Sequence, residues 1–100
     1  MSLIEYGVMG KRIIRPTHDT VFHELEGELV LLNLASEQYY TLNDTGTRMW
    51  HVLTQADSVE AACETLLAEF DVDADHLCQD LEALIKRLLQ ANLITVEHGD

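Results

Sequence analysis

The stretch Thr20–Leu42, TVFHELEGELVLLNLASEQYYTL, decides the fold. Its first segment, Thr20–Leu25, is rich in β-forming residues and runs into Glu26-Gly27, where Gly27 can take the positive φ that a two-residue hairpin turn requires. Glu28–Leu34 follows, carrying Leu29, Val30, Leu31, Leu32 and Leu34. So continuous an apolar run predicts a central strand buried on both faces. Ala35-Ser36-Glu37 turns the chain once more. Gln38–Leu42 then forms a third strand, with Tyr39 and Thr41 facing one way and Tyr40 and Leu42 the other. In a meander of this order the third strand is an edge, with unpaired backbone donors and acceptors, unless another element covers it.

From Asn43 onward the apolar period changes from 2 to 3.6. Asn43 or Asp44 caps a helix that runs through Met49, Trp50, Val52 and Leu53 to about Gln55, with Gly46 in its first turn, where glycine costs least. Asp57 with Glu60 fits a capping box, so a second helix starts near Ser58; its apolar positions are Val59, Ala62, Cys63, Leu66, Leu67 and Phe70. Asp71-Val72-Asp73 breaks it. Asp73 caps a third helix, the longest, which reaches about Ala91 and stops at Asn92; Leu93–Val96 is short and strand-like. The order β-β-β-α-α-α predicts an α+β fold of winged helix-turn-helix type, a three-stranded antiparallel sheet followed by three helices. This domain is placed at residues 19–97. Residues 1–18 form an N-terminal arm without assigned structure: Ile4, Tyr6 and Val8 alternate as an edge strand would, whereas Lys11-Arg12 and Arg15-Pro16 fit a loop or mobile arm.

Composition bounds the function. One hundred residues make one domain, and 47% hydrophobic residues can supply one modest core. The 18 acidic residues outnumber the 6 basic ones, for a formal net charge of −12. Lys11, Arg12 and Arg15 make the first eighteen residues about +2 and leave the remainder about −14. Nucleic acid and anionic membranes are thereby excluded as partners, because phosphate binding requires clustered Lys and Arg. The acidity serves solubility, or a preference for partners with basic residues. There is no signal-like N-terminus and no apolar run long enough to span a bilayer, so a cytoplasmic protein is expected. Cys63 and Cys78 form no CxxC pair; two buried thiols are expected, with a disulfide or a redox role as the alternative.

No pattern in the chain specifies catalysis. His18, His23, His51, His76 and His98 are scattered, and HExxH, GxSxG, Walker and dinucleotide motifs are absent. Asp71, Asp73, Asp75 and Asp80 lack the central glycine and final glutamate of a calcium loop. The expectation is a protein with no enzymatic activity, metal or cofactor. On the third helix, Leu77, Leu81, Leu84, Ile85, Leu88 and Leu89 spread over about 140°, where a surface helix needs roughly 100°. The surplus fits either a groove lining or a core that wraps more of its longest helix. Asp73, Asp75, Asp80 and Glu82 outweigh Lys86 and Arg87 on this helix, and only Gln79, Arg87 and Gln90 are of the types that read base edges. Entry into a DNA major groove is therefore excluded. What remains is a free strand edge beside apolar side chains, an arrangement suited to capturing an extended peptide.

Three runs carry a resemblance: GELVLLNL (27–34), QYYTLN (38–43) and TGTRMW (45–50), with the rhythm Asp80-Leu81…Leu84…Leu88-Leu89…Asn92-Leu93-Ile94 at the end. Together they resemble the pyrroloquinoline quinone biosynthesis protein D family over about residues 16–96. The Tyr-x-Leu-Asn-x-x-Gly-x-x-x-Trp run from Tyr40 to Trp50 is the most specific part. The resemblance implies a precursor-peptide recognition element for ribosomally made, post-translationally modified peptides, most similar to the lasso-peptide branch. In such a protein the precursor's leader adds beside the third strand, here Gln38, Tyr39, Tyr40, Thr41 and Leu42. It lies against the third helix, here Leu77, Asp80, Leu81, Leu84, Ile85, Leu88 and Arg87. Asp80 and Glu37 become candidates for contacting basic leader residues. The implied partners are a precursor peptide and a separate modifying enzyme, a leader peptidase in the lasso branch or a radical enzyme in the quinone branch. The competing readings are a winged-helix scaffold or regulator that binds another protein through the same groove, and an enzyme subunit with a thiol site at Cys63 or Cys78. Trp50, Met49, Leu53, Leu66 and Phe70 are read as core.

Overall fold

The structure is a computed structural model and describes residues 11–99. Within these residues, five strands and three helices follow in the order β1 (Lys11–Pro16), β2 (Thr20–Leu25), β3 (Glu28–Asn33), β4 (Tyr39–Leu42), α1 (Asp44–Gln55), α2 (Val59–Glu69), α3 (Ala74–Gln90) and β5 (Ile94–Gly99). The meander and three helices form the α+β arrangement that the periodicities predict. Strands β2, β3 and β4 make one antiparallel sheet in that order, with Leu31 opposite both Phe22 and Tyr40. Glu26 (φ 53°) and Gly27 (φ 83°) both lie in the left-handed region, as a tight hairpin turn of the I′ kind requires.

Two elements differ from expectation. Lys11–Pro16 is a strand rather than a loop or mobile arm. It pairs antiparallel with β5 in a separate two-stranded ribbon, from Lys11 opposite Gly99 to Pro16 opposite Ile94. Its partner, which the sequence suggests only as a short segment at Leu93–Val96, lies some eighty residues away, so no local pattern announces the pairing. The alternation of Ile4, Tyr6 and Val8 falls outside the described residues. Strand β3 is not buried on both faces: Leu29, Leu31 and Asn33 point into the core, whereas Val30 is exposed and Leu32 only half-buried. Nothing packs on that outer face among the described residues, and Val21, Leu25 and Tyr39 are exposed there as well.

The core lies between the inner face of the meander, the ribbon and the three helices. Trp50, Leu53, Leu66, Leu81, Leu88 and Leu93 are almost wholly removed from water, together with Ile14 of β1. Phe22 meets Trp50 edge to face at 5.6 Å between ring centroids, and the neighbouring Glu24 bonds His51 Nε2 at 2.8 Å, joining the β2 hairpin to α1. Helix starts follow the capping rule, with one shift. Asn43 caps α1 and Asp73 caps α3, but α2 is capped by Ser58, whose hydroxyl accepts from the Ala61 N–H at 3.0 Å; Asp57 is not the cap. At the end of α3, Asn92 takes φ 60°, the left-handed stop for which asparagine is suited. Asn33 Nδ2 donates to the Asn92 carbonyl at 2.6 Å, and its Oδ1 accepts from Ala35 and Ser36 N–H, so one buried side chain shapes the β3–β4 turn and ties it to the end of α3.

The cysteines are a further correction. They are not free thiols: Cys63 of α2 and Cys78 of α3 form a disulfide with Cα atoms 6.2 Å apart. Spacing alone does not reveal it, because the pair is brought together by the packing of α2 against α3 across the intervening turn rather than by a local motif.

Candidate functional site

Strand β4 has β3 on one side and no strand on the other among the described residues. Its free edge looks across a cleft of about 440 Å³ to α3. One wall is Tyr40, Thr41 and Leu42 of β4 with Asn43 at its exit; the floor is Thr45, Gly46 and Met49 of α1; the far wall is Asp80, Ala83, Leu84 and Arg87 of α3. The spacing 80, 83, 84, 87 is one face of a helix.

The junction between β4 and α1 is locked by short-range bonds. Asn43 Oδ1 accepts from the Gly46 N–H at 2.8 Å, the Thr47 N–H donates to the Asn43 carbonyl at 2.7 Å, and the Thr47 hydroxyl donates to the Leu42 carbonyl at 3.2 Å. Gly46 suits a close approach: a Cβ there would lie 3.3 Å from Cβ and Cδ2 of Leu42, tighter than ordinary contact. The Leu-Asn-x-x-Gly part of the sequence run is thus the hinge that sets the strand edge at a fixed angle to the cleft floor. Trp50 at its end is 1% exposed and anchors α1 in the core.

On α3 the buried stripe Leu77, Leu81, Leu84, Ile85 and Leu88 holds the helix to the body, and Asp80, Ala83 and Arg87 beside it are exposed to the cleft. His76 Nε2 lies 3.6 Å from Asp80 Oδ2. A smaller adjoining hollow of about 180 Å³ shares Thr45, Met49 and Asp80 with the cleft and continues to Phe70, Val72, His76 and Leu77. The apolar side chains there extend the cleft toward the start of α3.

The predicted site residues divide accordingly. Tyr40, Thr41, Leu42, Asp80, Leu84 and Arg87 come together around the cleft, and Leu77 lines the adjoining hollow. Leu81, Ile85 and Leu88 line neither and are buried in the core. Tyr39 is 70% exposed on the outer face of the sheet, Gln38 is exposed before β4, and Glu37 occupies the left-handed turn position at φ 63°. Sequence reasoning missed Asn43, Thr45, Gly46 and Ala83 as lining residues and read Met49 and Phe70 purely as core. Ala83 was available from the helical spacing between Asp80 and Arg87.

Among the described residues no three His, Cys, Asp or Glu side chains are grouped to hold a metal ion, and no helix is long and apolar enough to cross a membrane.

Comparison with known proteins adds three observations. A search of the curated proteins finds no significant match. Among solved structures, "TbiB1 in Complex with the TbiA(beta) Leader Peptide" superposes with a TM-score of 0.76 at 26% identity, over 86% of this chain and 99% of that one. "Lasso peptide synthetase B1 complexed with the leader peptide" superposes with a TM-score of 0.74 over 82% of this chain and 96% of that one; at 23% identity it speaks for the fold alone. The model of the family described as coenzyme PQQ synthesis protein D (PqqD) matches residues 28–94, from the first residue of β3 to the first of β5. That span takes in the cleft with both of its walls, and the chain belongs to the PqqD family.

Proposed function

We propose that this chain is a non-catalytic chaperone that binds the leader of a ribosomally synthesised precursor peptide. The observation that carries the reading is the free edge of β4 opening onto a cleft whose opposite wall is α3. A leader in extended form adds as a fourth strand to the meander. Its backbone bonds to β4, and alternate side chains enter the cleft and the adjoining apolar hollow. The recognition unit is residues 19–97, against which β1 lies. The leader is then presented to a separate modifying enzyme in the cytoplasm; the sequence resemblance favours a leader peptidase of lasso-peptide type, and the likeness to TbiB1, solved with a leader peptide, supports the leader-binding step. Among the predicted site residues, Tyr40, Thr41, Leu42, Leu77, Asp80, Leu84 and Arg87 contact the leader, whereas Leu81, Ile85 and Leu88 support α3 from within.

Fluorescence anisotropy tests this with a labelled leader of the precursor encoded beside this chain's gene. Saturable binding is expected at micromolar Kd or tighter, which corresponds to about −8 kcal/mol or better. Leu84 is 3% exposed, so a charge there threatens the fold; Ala83→Trp is the cleaner probe, because it fills the cleft from an exposed helix position. Ala83→Trp should abolish binding with an unchanged circular dichroism spectrum. No saturable binding at low salt by leaders of any neighbouring reading frame would reject the proposal.

A further inference from the structure

Carboxylates outnumber lysines and arginines three to one in this chain, 18 against 6, so a surface guanidinium finds an acid nearby by default. Three of the four arginines do. Arg12 is held by Glu82 and Glu60, Arg15 by Glu97, and Arg48 by Glu69. Arg87 has no carboxylate within 4.0 Å among the described residues, and it is the one arginine that lines the cleft. The reason is local: the positions one helical turn away, Ala83, Leu84, Gln90 and Ala91, carry no acid. A basic residue in the last turn of α3 suits the helix dipole, but that leaves the guanidinium itself unpaired in the cleft.

Asp80 stands on the same wall seven residues earlier, about 10.5 Å along the helix axis. The α3 wall is therefore negative at one end, beside the apolar hollow, and positive at the other. Side chains on one face of an extended strand recur about every 6.8 Å, so two facing positions two or four residues apart reach Asp80 and Arg87 together.

We infer that Arg87 is a specificity residue that receives a carboxylate side chain of the bound peptide and, with Asp80 at the other end, sets the direction in which the peptide lies. The inference rests on the leader-binding reading and narrows it to one class of peptide. That peptide is extended, has an apolar side chain for the hollow and a base for Asp80, and carries an aspartate or glutamate on the same face for Arg87. Bound peptide excludes water from the pair, and the guanidinium fork matches a carboxylate in two-point contact.

The test uses the full chain and a phage-displayed library of random twelve-residue peptides, panned on the wild type and on Arg87→Glu, Arg87→Gln and Arg15→Gln. Arg15 lies on β1, outside the cleft, and its variant should select the same peptides as the wild type. The wild-type pool should carry Asp or Glu at one fixed distance from its apolar anchor, and the Arg87→Glu pool should carry Lys or Arg at that position. By anisotropy, the best wild-type peptide should lose about tenfold in affinity for Arg87→Gln, the scale of a lost charge-assisted bond. A version of that peptide with the acid changed to the amide should bind wild type and Arg87→Gln alike. If the wild type and Arg87→Glu enrich the same residues at every position, the role of Arg87 is refuted while peptide binding stands. If the wild type enriches no peptide that Ala83→Trp releases, peptide binding itself is refuted and the inference goes with it.

Discussion

Gly46 shows how much one missing side chain can decide. It sits in the first turn of α1, and the space its Cβ would fill is already occupied by Leu42 at 3.3 Å and by the capping carboxamide of Asn43 at 3.4 Å. A larger residue there must push the strand edge away from the cleft floor. Gly46→Val should therefore destabilise the protein by about 1–3 kcal/mol, the usual range for overpacking, seen as a lower urea midpoint with an unchanged slope. The run from Tyr40 to Trp50 was legible as a unit because each of its residues has a local job: a strand face, a cap, a close approach, an anchor. Residues whose roles depend on distant partners were not legible. The bond from Asn33 to the Asn92 carbonyl joins positions far apart in the chain, and Asp57 and Ser58 are equally good caps until the backbone chooses between them.

At the scale of elements, the long helix α3 is held on one face by two kinds of link. On that face the disulfide joins Cys78 to Cys63 on α2, beside buried Leu81. For a loop of this length the chain-entropy contribution is about 3 kcal/mol. Urea unfolding with and without dithiothreitol should differ by about that amount for the wild type and not at all for the double variant Cys63→Ser, Cys78→Ser. The double variant should still fold, because Leu66, Leu77 and Leu81 stay buried in the core. On the same side Arg12 of β1 donates to both carboxylate oxygens of Glu82, one at 2.9 Å, and also reaches Glu60 at 3.3 Å. These bonds hold the Glu82 carboxyl below its ordinary value of 4.5, against an opposing push from partial burial. A carboxyl whose native pKa is depressed stabilises the fold above its unfolded pKa, and that stabilisation is lost as pH falls through the native value. Glu82→Gln should therefore flatten the loss of stability below about pH 4.5 in acid titrations followed by circular dichroism, by on the order of 1 kcal/mol or less, because the pair is partly exposed. The periods of the helices and of the meander were readable from the sequence. The outer face of β3 was not, because an apolar run announces burial without saying on which side the covering layer lies, and among the described residues no layer covers that face.

Taken together, the described residues form a winged meander and three helices closed by a ribbon that joins residues 11–16 to residues 94–99. Ile14 is 1% exposed, which makes β1 part of the core rather than an appendage. Ile14→Ala should lower stability by about 2–5 kcal/mol, and thermal unfolding should remain a single transition if ribbon and body fold as one unit. The segment reads as an arm because it is short and basic and ends on the chain's only proline, Pro16; its partner β5 is itself underestimated from sequence, and two weak strands identify each other only once they are side by side. That pairing has a further result. Lys11 is opposite Gly99, so the described chain enters and leaves the body at one place, while neither strand of the ribbon lines the cleft. A unit built this way behaves like a plug on a two-wire lead: residues 11–99 can be spliced into a surface loop of another protein without either lead crossing the cleft.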